Sequence, residues 1–329
     1  MTERVFVTRK IPEKGLKLLK DEVELHIWKE EFPPTKEEII RQAKDSSGLI
    51  TLLSDSIDAE VIDKLSDLKI ISQYAVGYDN IDIEKATEKK IMVTNTPGVL
   101  TETTADLTWA LIFAASRRIV EADRYVRNKR WEVAWSPELL LGKDIYGATL
   151  GIIGLGRIGT AVAKRAKGFS MDILYTTRSV SKKTKLVERE LNATRCNLDN
   201  LLEKSDIVTI HVPLTEETYN MIGSRELSLM PKGSIIVNTS RGPIINQDAL
   251  ITKLSENHLF AAGLDVFQNE PLETDSKLLQ LENVVLAPHI GSASIATREK
   301  MSTICAQNLI QGLHGETPEN LVNPDVLDM

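Results

Sequence analysis

The chain has 329 residues, 42% of them hydrophobic and 26% charged, a length suited to two domains and a balance that excludes disordered and fibrous classes. Forty Lys and Arg against 47 Asp and Glu leave a formal net charge of -7, which argues against a nucleic-acid partner because phosphate-dominated binding needs a basic surface. No apolar run approaches the roughly 20 residues of a membrane helix, and Met1 to Arg4 lead straight into Val5-Phe6-Val7 without a signal peptide, so a cytoplasmic protein with no membrane partner is expected.

In chain order, short β-branched runs alternate with helix-period stretches such as Thr35 to Lys44. Strands are predicted at Val5-Phe6-Val7, Gly48-Leu49-Ile50, Ile70-Ile71 and Ile91-Met92-Val93, the rhythm of a parallel sheet. From Thr104 to Val126 the chain holds neither Gly nor Pro, which predicts one long helix; Arg117, Arg118 and Arg124 at its end read as a solvated face. A second series of six strands is predicted at Leu150–Ile153, Ile173–Tyr175, Ile207–Val212, Ser234–Asn238, Ala261–Val266 and Val284–Ala287, a doubly wound sheet. The tail from Arg298 to Leu313 reads as a helix that returns to the first lobe. The predicted boundaries are 1–99 with 290–329 for a discontinuous first domain and 100–289 for the second. Cys196 and Cys305 lie far apart without metal-ligand spacing; buried thiols are expected, and no metal.

The first strand of the second series runs into Gly154-Leu155-Gly156-Arg157-Ile158-Gly159 and then into an alanine-rich helical stretch. Gly154 permits a tight turn, Gly156 lets the backbone approach a pyrophosphate, and Gly159 lets the helix pack close to the strand. The helix start offers unpaired N–H groups to the phosphates. A dinucleotide-binding turn is therefore expected, with Leu155, Arg157 and Ile158 beside the glycines. About 20 residues on, where an NAD-preferring site places an acid, the chain reads Thr177-Arg178-Ser179, with Lys182 and Lys183 behind. Asp172 precedes the apolar run, at the wrong end of the strand, and reads as a turn residue. A guanidinium and two hydroxyls in place of a carboxylate predict NADP(H) as the preferred cofactor, with NAD(H) possible.

Three polar residues come after the fourth, fifth and sixth strands of the second series: Arg241, Glu270 and His289. Ligands of doubly wound sheets sit beyond these strand ends. Singly, each has a plainer reading, as helix cap, turn acid or surface histidine. Together with Tyr74-Ala75-Val76-Gly77-Tyr78-Asp79-Asn80-Ile81-Asp82, Asn95-Thr96-Pro97-Gly98-Val99-Leu100, Thr239-Ser240-Arg241-Gly242, Gly263-Leu264-Asp265-Val266-Phe267 and Ala287-Pro288-His289-Ile290-Gly291, they make a sequence that resembles the D-isomer-specific 2-hydroxyacid dehydrogenases over nearly its whole length, and within them the glyoxylate/hydroxypyruvate reductases.

The resemblance implies an α/β fold of two doubly wound parallel-sheet domains, a Rossmann-type cofactor domain and a flavodoxin-like substrate domain. It implies hydride transfer from NAD(P)H to a small 2-oxo acid, giving the D-2-hydroxy acid. In such enzymes the residue matching His289 gives a proton to the substrate carbonyl, the acid matching Glu270 favours its imidazolium form, and the arginine matching Arg241 grips the carboxylate and carbonyl oxygens. Further cofactor contacts are implied at Thr104, Val212, Pro213, Thr218, Thr239, Ser240, Arg241, Asp265, His289 and Gly291. Substrate contacts are implied at Leu53, Val76, Gly77, Arg241, His289 and Trp135. Trp131 and Trp135 fall where these enzymes pair as homodimers, and in relatives the residue matching Trp135 reaches the partner's site. D-lactate-type, phosphoglycerate and formate dehydrogenases stay open as alternatives, although no regulatory domain follows the last helix; so does a dinucleotide-sensing, corepressor-like scaffold without activity.

Overall fold

Apolar runs flanked by amphipathic helices pair as parallel strands, because only a sheet covered on both faces hides such runs from water. The computed structural model describes residues 2–328, the side chain of Lys183 excepted. Residues 1–100 with 292–329 make one compact unit and residues 101–291 a second.

In the first unit β1 (Arg4–Val7), β2 (Glu24–Ile27), β3 (Gly48–Thr51), β4 (Ile70–Gln73) and β5 (Met92–Thr94) form a parallel sheet in the order β2-β1-β3-β4-β5, the flavodoxin-like winding. Successive side chains point to opposite faces. Val5, Val7, Ile50 and Ile70 therefore pack with Met301, Cys305 and Leu309 of the tail helix Ile295–Leu313, while Phe6, Leu49, Ile71 and Val93 pack with Ile39, Val61 and Ile62. The tail helix lies against the helix Glu13–Lys20 so closely that a Cβ on Gly15 would stand 2.2 Å from the Ser302 carbonyl oxygen. Edge strand β2 escaped the sequence reading because Glu-Leu-His-Ile alternates polar with half-buried apolar residues and never makes an apolar run.

In the second unit the order is β12-β11-β10-β9-β6-β7-β8, all parallel. The strands are β6 (Thr149–Ile153), β7 (Asp172–Thr176), β8 (Thr194–Arg195), β9 (Ile207–Ile210), β10 (Ile235–Asn238), β11 (Ala261–Leu264) and β12 (Val284–Leu286). This is the Rossmann winding with an added strand, and its order reverses between β6 and β9. Seven strands replace the six expected: β8 is a two-residue edge strand of exposed Thr194 and Arg195, with nothing apolar to announce it. Asp172 opens β7 as an exposed strand residue paired with Thr149 rather than standing in a turn. Cys305 is buried, whereas Cys196 is only half-buried.

The single helix expected over Thr104–Val126 is two, Thr101–Ser116 and Ile119–Arg127. Propensity favoured continuation, but a tertiary contact ends the first helix. The Ser116 carbonyl accepts from the Lys143 N–H at 2.8 Å, and Gly142 comes so near that a Cβ there would lie 2.4 Å from that oxygen. Arg118 then turns through the left-handed region at φ 52° and pairs bidentately with Glu121 of the next helix. No helix among the described residues is long and apolar enough to cross a membrane.

Candidate active site in the second unit

The turn after β6 reads as a cradle for a phosphate group. Gly154 stands at φ 98°, and a Cβ on it would meet the His211 carbonyl oxygen at 2.7 Å, so the loop after β6 and the end of β9 touch at the point where the sheet order reverses. Gly159 is pressed on the turn itself, where a Cβ would be 2.1 Å from the Gly154 oxygen. Gly156, by contrast, faces open space and caps the helix Arg157–Ala166, with no side chain capping the first N–H groups and no acid in the first turn. Beside this turn His211 leaves its Nε2 inaccessible to water and without a hydrogen-bond partner, and burial pushes the pKa of its imidazole down to about 3, so the ring is neutral. Donors and dipole at the helix start and room at Gly156 fit a bound dinucleotide pyrophosphate.

At the end of β7, Arg178 and Ser179 are exposed and Thr177 is half-buried, with the Thr177 hydroxyl 3.4 Å from the Ser179 carbonyl. No acid occupies these positions. Arg178 also acts on Glu217, whose carboxyl is held below its ordinary value chiefly by the Thr215 hydroxyl and in smaller part by the Arg178 charge. In the loop after β9, the Thr218 hydroxyl donates to the Pro213 carbonyl at 2.7 Å and accepts from the Thr215 N–H at 2.8 Å. Its hydroxyl therefore shapes the Val212-Pro213 turn before it meets any ligand.

Beyond β10, β11 and β12 the expected triad is assembled in part by backbone. Gly242 comes after Arg241 and lies against the Phe267 carbonyl, where a Cβ would be 1.8 Å from the oxygen, so the β10 and β11 loops share one wall. Asn238 holds the first loop from inside: its side chain donates to the Arg241 carbonyl at 2.9 Å and accepts from the Ser240 N–H at 3.0 Å. Asp265 ties the β12 loop to β11, since its two oxygens accept the Ile290 and Gly291 N–H groups at 2.7 and 2.8 Å. Burial pushes the pKa of its carboxyl up to about 6 against the pull of those donors and of the His289 charge.

His289 is half-exposed at φ 53°, a left-handed conformation rare for such a side chain, and its N–H donates to the Asp265 carbonyl at 2.8 Å. This turn aims Nδ1 at Glu270, 2.7 Å from Oε2. The other oxygen of Glu270 accepts the Phe267 N–H at 3.1 Å. Burial alone would raise the Glu270 carboxyl, but the His289 hydrogen bond and charge, the Phe267 N–H and the Arg241 charge together hold it below its ordinary value. With Nδ1 committed to a carboxylate, Nε2 is left as the ring's proton-exchanging position.

Thr104 and Gly291 meet as well: a Cβ on Gly291 would lie 3.4 Å from the Thr104 methyl. Thr239 is linked to the same helix through Thr108, whose hydroxyl lies 3.0 Å from the Thr239 hydroxyl and donates to the Thr104 carbonyl at 2.9 Å. Thr108 and His211 escaped the sequence reading. The i,i+4 spacing of Thr104 and Thr108, and a histidine placed immediately before Val212-Pro213, were their signals. Trp135 and Trp131 stand on the arm that continues beyond Arg127, 77% and 55% exposed, far out of any core. Leu53, Val76 and Gly77 lie in the first unit, in the loops after β3 and β4.

A family model described as D-isomer specific 2-hydroxyacid dehydrogenase, NAD binding domain, matches residues 109–291. The chain belongs to the D-isomer specific 2-hydroxyacid dehydrogenases. A glyoxylate reductase of Korarchaeum cryptofilum is 56% identical to this dehydrogenase over 99% of its chain and 98% of the relative. Among solved structures, a Thermus thermophilus protein superposes with a TM-score of 0.90 at 45% identity, covering 97% of this chain and 99% of that one. An NADPH-dependent glyoxylate/hydroxypyruvate reductase of Sinorhizobium meliloti, solved with NADP and malonate, has a TM-score of 0.87 at 31% identity over 99% and 98% of the two chains. The dehydrogenase is thus an NAD(P)-dependent oxidoreductase on a two-sheet α/β fold, as the resemblance implied.

Proposed function

We propose that this dehydrogenase reduces glyoxylate to glycolate and hydroxypyruvate to the D-2-hydroxy acid, with NADPH preferred over NADH. The observation that carries the reading is the 2.7 Å pairing of His289 with Glu270 beside the Arg241 loop. When bound, the nicotinamide dinucleotide supplies the hydride. Residues Gly154 to Gly159 receive its pyrophosphate, and Thr177, Arg178 and Ser179 receive the adenosine end. Thr104, Val212, Pro213, Thr218, Thr239, Ser240, Arg241, Asp265, His289 and Gly291 line the rest of its course.

Arg241 presents a planar fork of donors that orients the substrate carboxylate and stabilises charge gathering on the carbonyl oxygen. His289 gives the proton from Nε2 to that oxygen during reduction and takes it back during oxidation, a contribution of about 10²–10⁴ in rate. Glu270 holds the ring in the matching tautomer and balances the imidazolium charge. Leu53, Val76 and Gly77, in the loops after β3 and β4, are proposed as substrate-binding residues, with the backbone N–H groups of those loops as donors to the carboxylate.

NADPH preference rests on Arg178 and the missing acid after β7, and is in keeping with the NADP bound by the Sinorhizobium meliloti relative. A homodimer is proposed from the arm between Arg127 and Thr149, which exposes Trp131, Val133, Trp135, Leu141 and Tyr146 within one stretch of chain; Trp135 would then serve its partner's substrate site. A cytoplasmic location is retained from the sequence reading.

The test is the oxidation of NADPH and of NADH by the purified protein with glyoxylate, hydroxypyruvate, pyruvate and phosphohydroxypyruvate. Turnover of glyoxylate and hydroxypyruvate, faster with NADPH, is expected. Turnover of pyruvate alone would favour the D-lactate type, and inertness toward every 2-oxo acid would move the scaffold reading to the front.

A further inference from the structure

The loops that carry Leu53 and Val76-Gly77 have no regular structure, yet both are tied to one partly buried polar network. Asn80 is its centre. Its side-chain amide donates to the Leu52 carbonyl at 3.1 Å and to the Asp55 carbonyl at 2.8 Å, while its oxygen accepts from Gln73 Nε2 at 2.7 Å. Gln73, fully buried at the end of β4, also donates to the Gly77 carbonyl at 3.3 Å and is itself held by the Thr51 hydroxyl at 2.6 Å. A single side chain therefore links the loop after β3 to the loop after β4.

Asp55 closes the other side. One of its oxygens accepts both the Leu52 N–H at 2.7 Å and the Thr8 hydroxyl at 2.5 Å, anchoring the Leu52 to Asp55 turn to the end of β1. Thr8 and Asp55 are almost wholly buried. A second amide, Asn95, holds the Val76 carbonyl at 2.8 Å. The carbonyls of this stretch thus point inward to amide donors, and such side-chain bonds decide which backbone N–H groups remain for a ligand.

We propose that Asn80 and Asp55 are positioning residues: they act through the loops they hold and determine how tightly the substrate carboxylate is bound. This rests on the assignment of Leu53, Val76 and Gly77 to the substrate site. Neither residue takes part in the chemistry, so the signature is a change in KM separated from kcat. Asn80→Ala removes three hydrogen bonds, and the loss of part of their worth from binding raises KM about tenfold.

The experiment is steady-state kinetics with hydroxypyruvate and NADPH, paired with backbone hydrogen exchange. Asn80→Ala is expected to raise the hydroxypyruvate KM about tenfold, to leave saturating kcat within about twofold and the NADPH KM unchanged, and to speed exchange in residues 52–54 and 76–77. Asp55→Ala should show the same pattern. Asp55→Asn, which keeps an oxygen for both Thr8 and Leu52, should restore most of the loss, and this pair decides the matter if Asn80→Ala does not fold. An unchanged KM in the alanine variants, or a fall in kcat alone, overturns the positioning role. An inactive wild-type protein overturns the functional reading instead.

Discussion

Replacing Glu270 by Gln keeps the size of the side chain and an oxygen for the His289 ring, and removes the charge together with the second acceptor that the Phe267 N–H uses. Two unit charges about 4 Å apart attract by about 4 kcal/mol at an effective dielectric of about 20. The pair is not fully enclosed, since the two side chains are 29% and 36% exposed. Halving the figure for solvent screening leaves about 2 kcal/mol of attraction between the carboxylate and a positive charge on the ring, and hence a loss of about 30-fold in reductive kcat when the carboxylate is removed. Initial rates of 2-oxo acid reduction across pH read the effect directly. The variant should approach the wild type in acid, as the wild-type Glu270 carboxyl takes up a proton at its lowered value, and differ most from it above that range. A profile superimposable on that of the wild type would refute the claim that the carboxylate sustains the proton donor.

The same geometry sets three more outcomes. Arg178→Ala should raise the KM for NADPH by about 10- to 100-fold, the worth of a charge-assisted bond to phosphate, and leave that for NADH almost unchanged; equal effects on both cofactors would remove Arg178 from selectivity. Because the folded state depresses the Glu270 carboxyl, its contribution to stability is full above the ordinary carboxylate range and is lost as pH falls through the lowered value. The gap in unfolding midpoint between wild type and Glu270→Gln should therefore be widest near neutral pH and close in acid. Gly242→Ala should cost about 1–3 kcal/mol or more and most of the activity, since its methyl would occupy the Phe267 carbonyl; denaturant unfolding alongside kcat checks this.

Much of the architecture was legible because buried parallel strands must be apolar. The runs at Val5, Ile70, Leu150, Ile207 and Ile235 stood out, and the triad residues could be located by looking for polar side chains just past the ends of the later runs. Edge strands β2 and β8 escaped since half of an edge is wet and needs no apolar run. The break at Arg117-Arg118 was invisible for a different reason: the Lys143 N–H that ends the helix comes from 27 residues downstream, and no local signal announces it. The polar network around Asn80 and Asp55 was equally hidden. Its members are scattered over Thr8, Thr51, Gln73 and Asn80, and only the parallel pairing of β1, β3 and β4 brings them side by side.

The proposal that the protein forms the D-2-hydroxy acid is tested most directly with hydroxypyruvate, since glyoxylate gives an achiral product. Glycerate made from hydroxypyruvate and NADPH should be the D-isomer alone, with NADPH consumed in equal amount and formation suppressed by about 10²–10⁴ in His289→Ala. Accumulation of the L-isomer, or full activity without His289, would contradict the account.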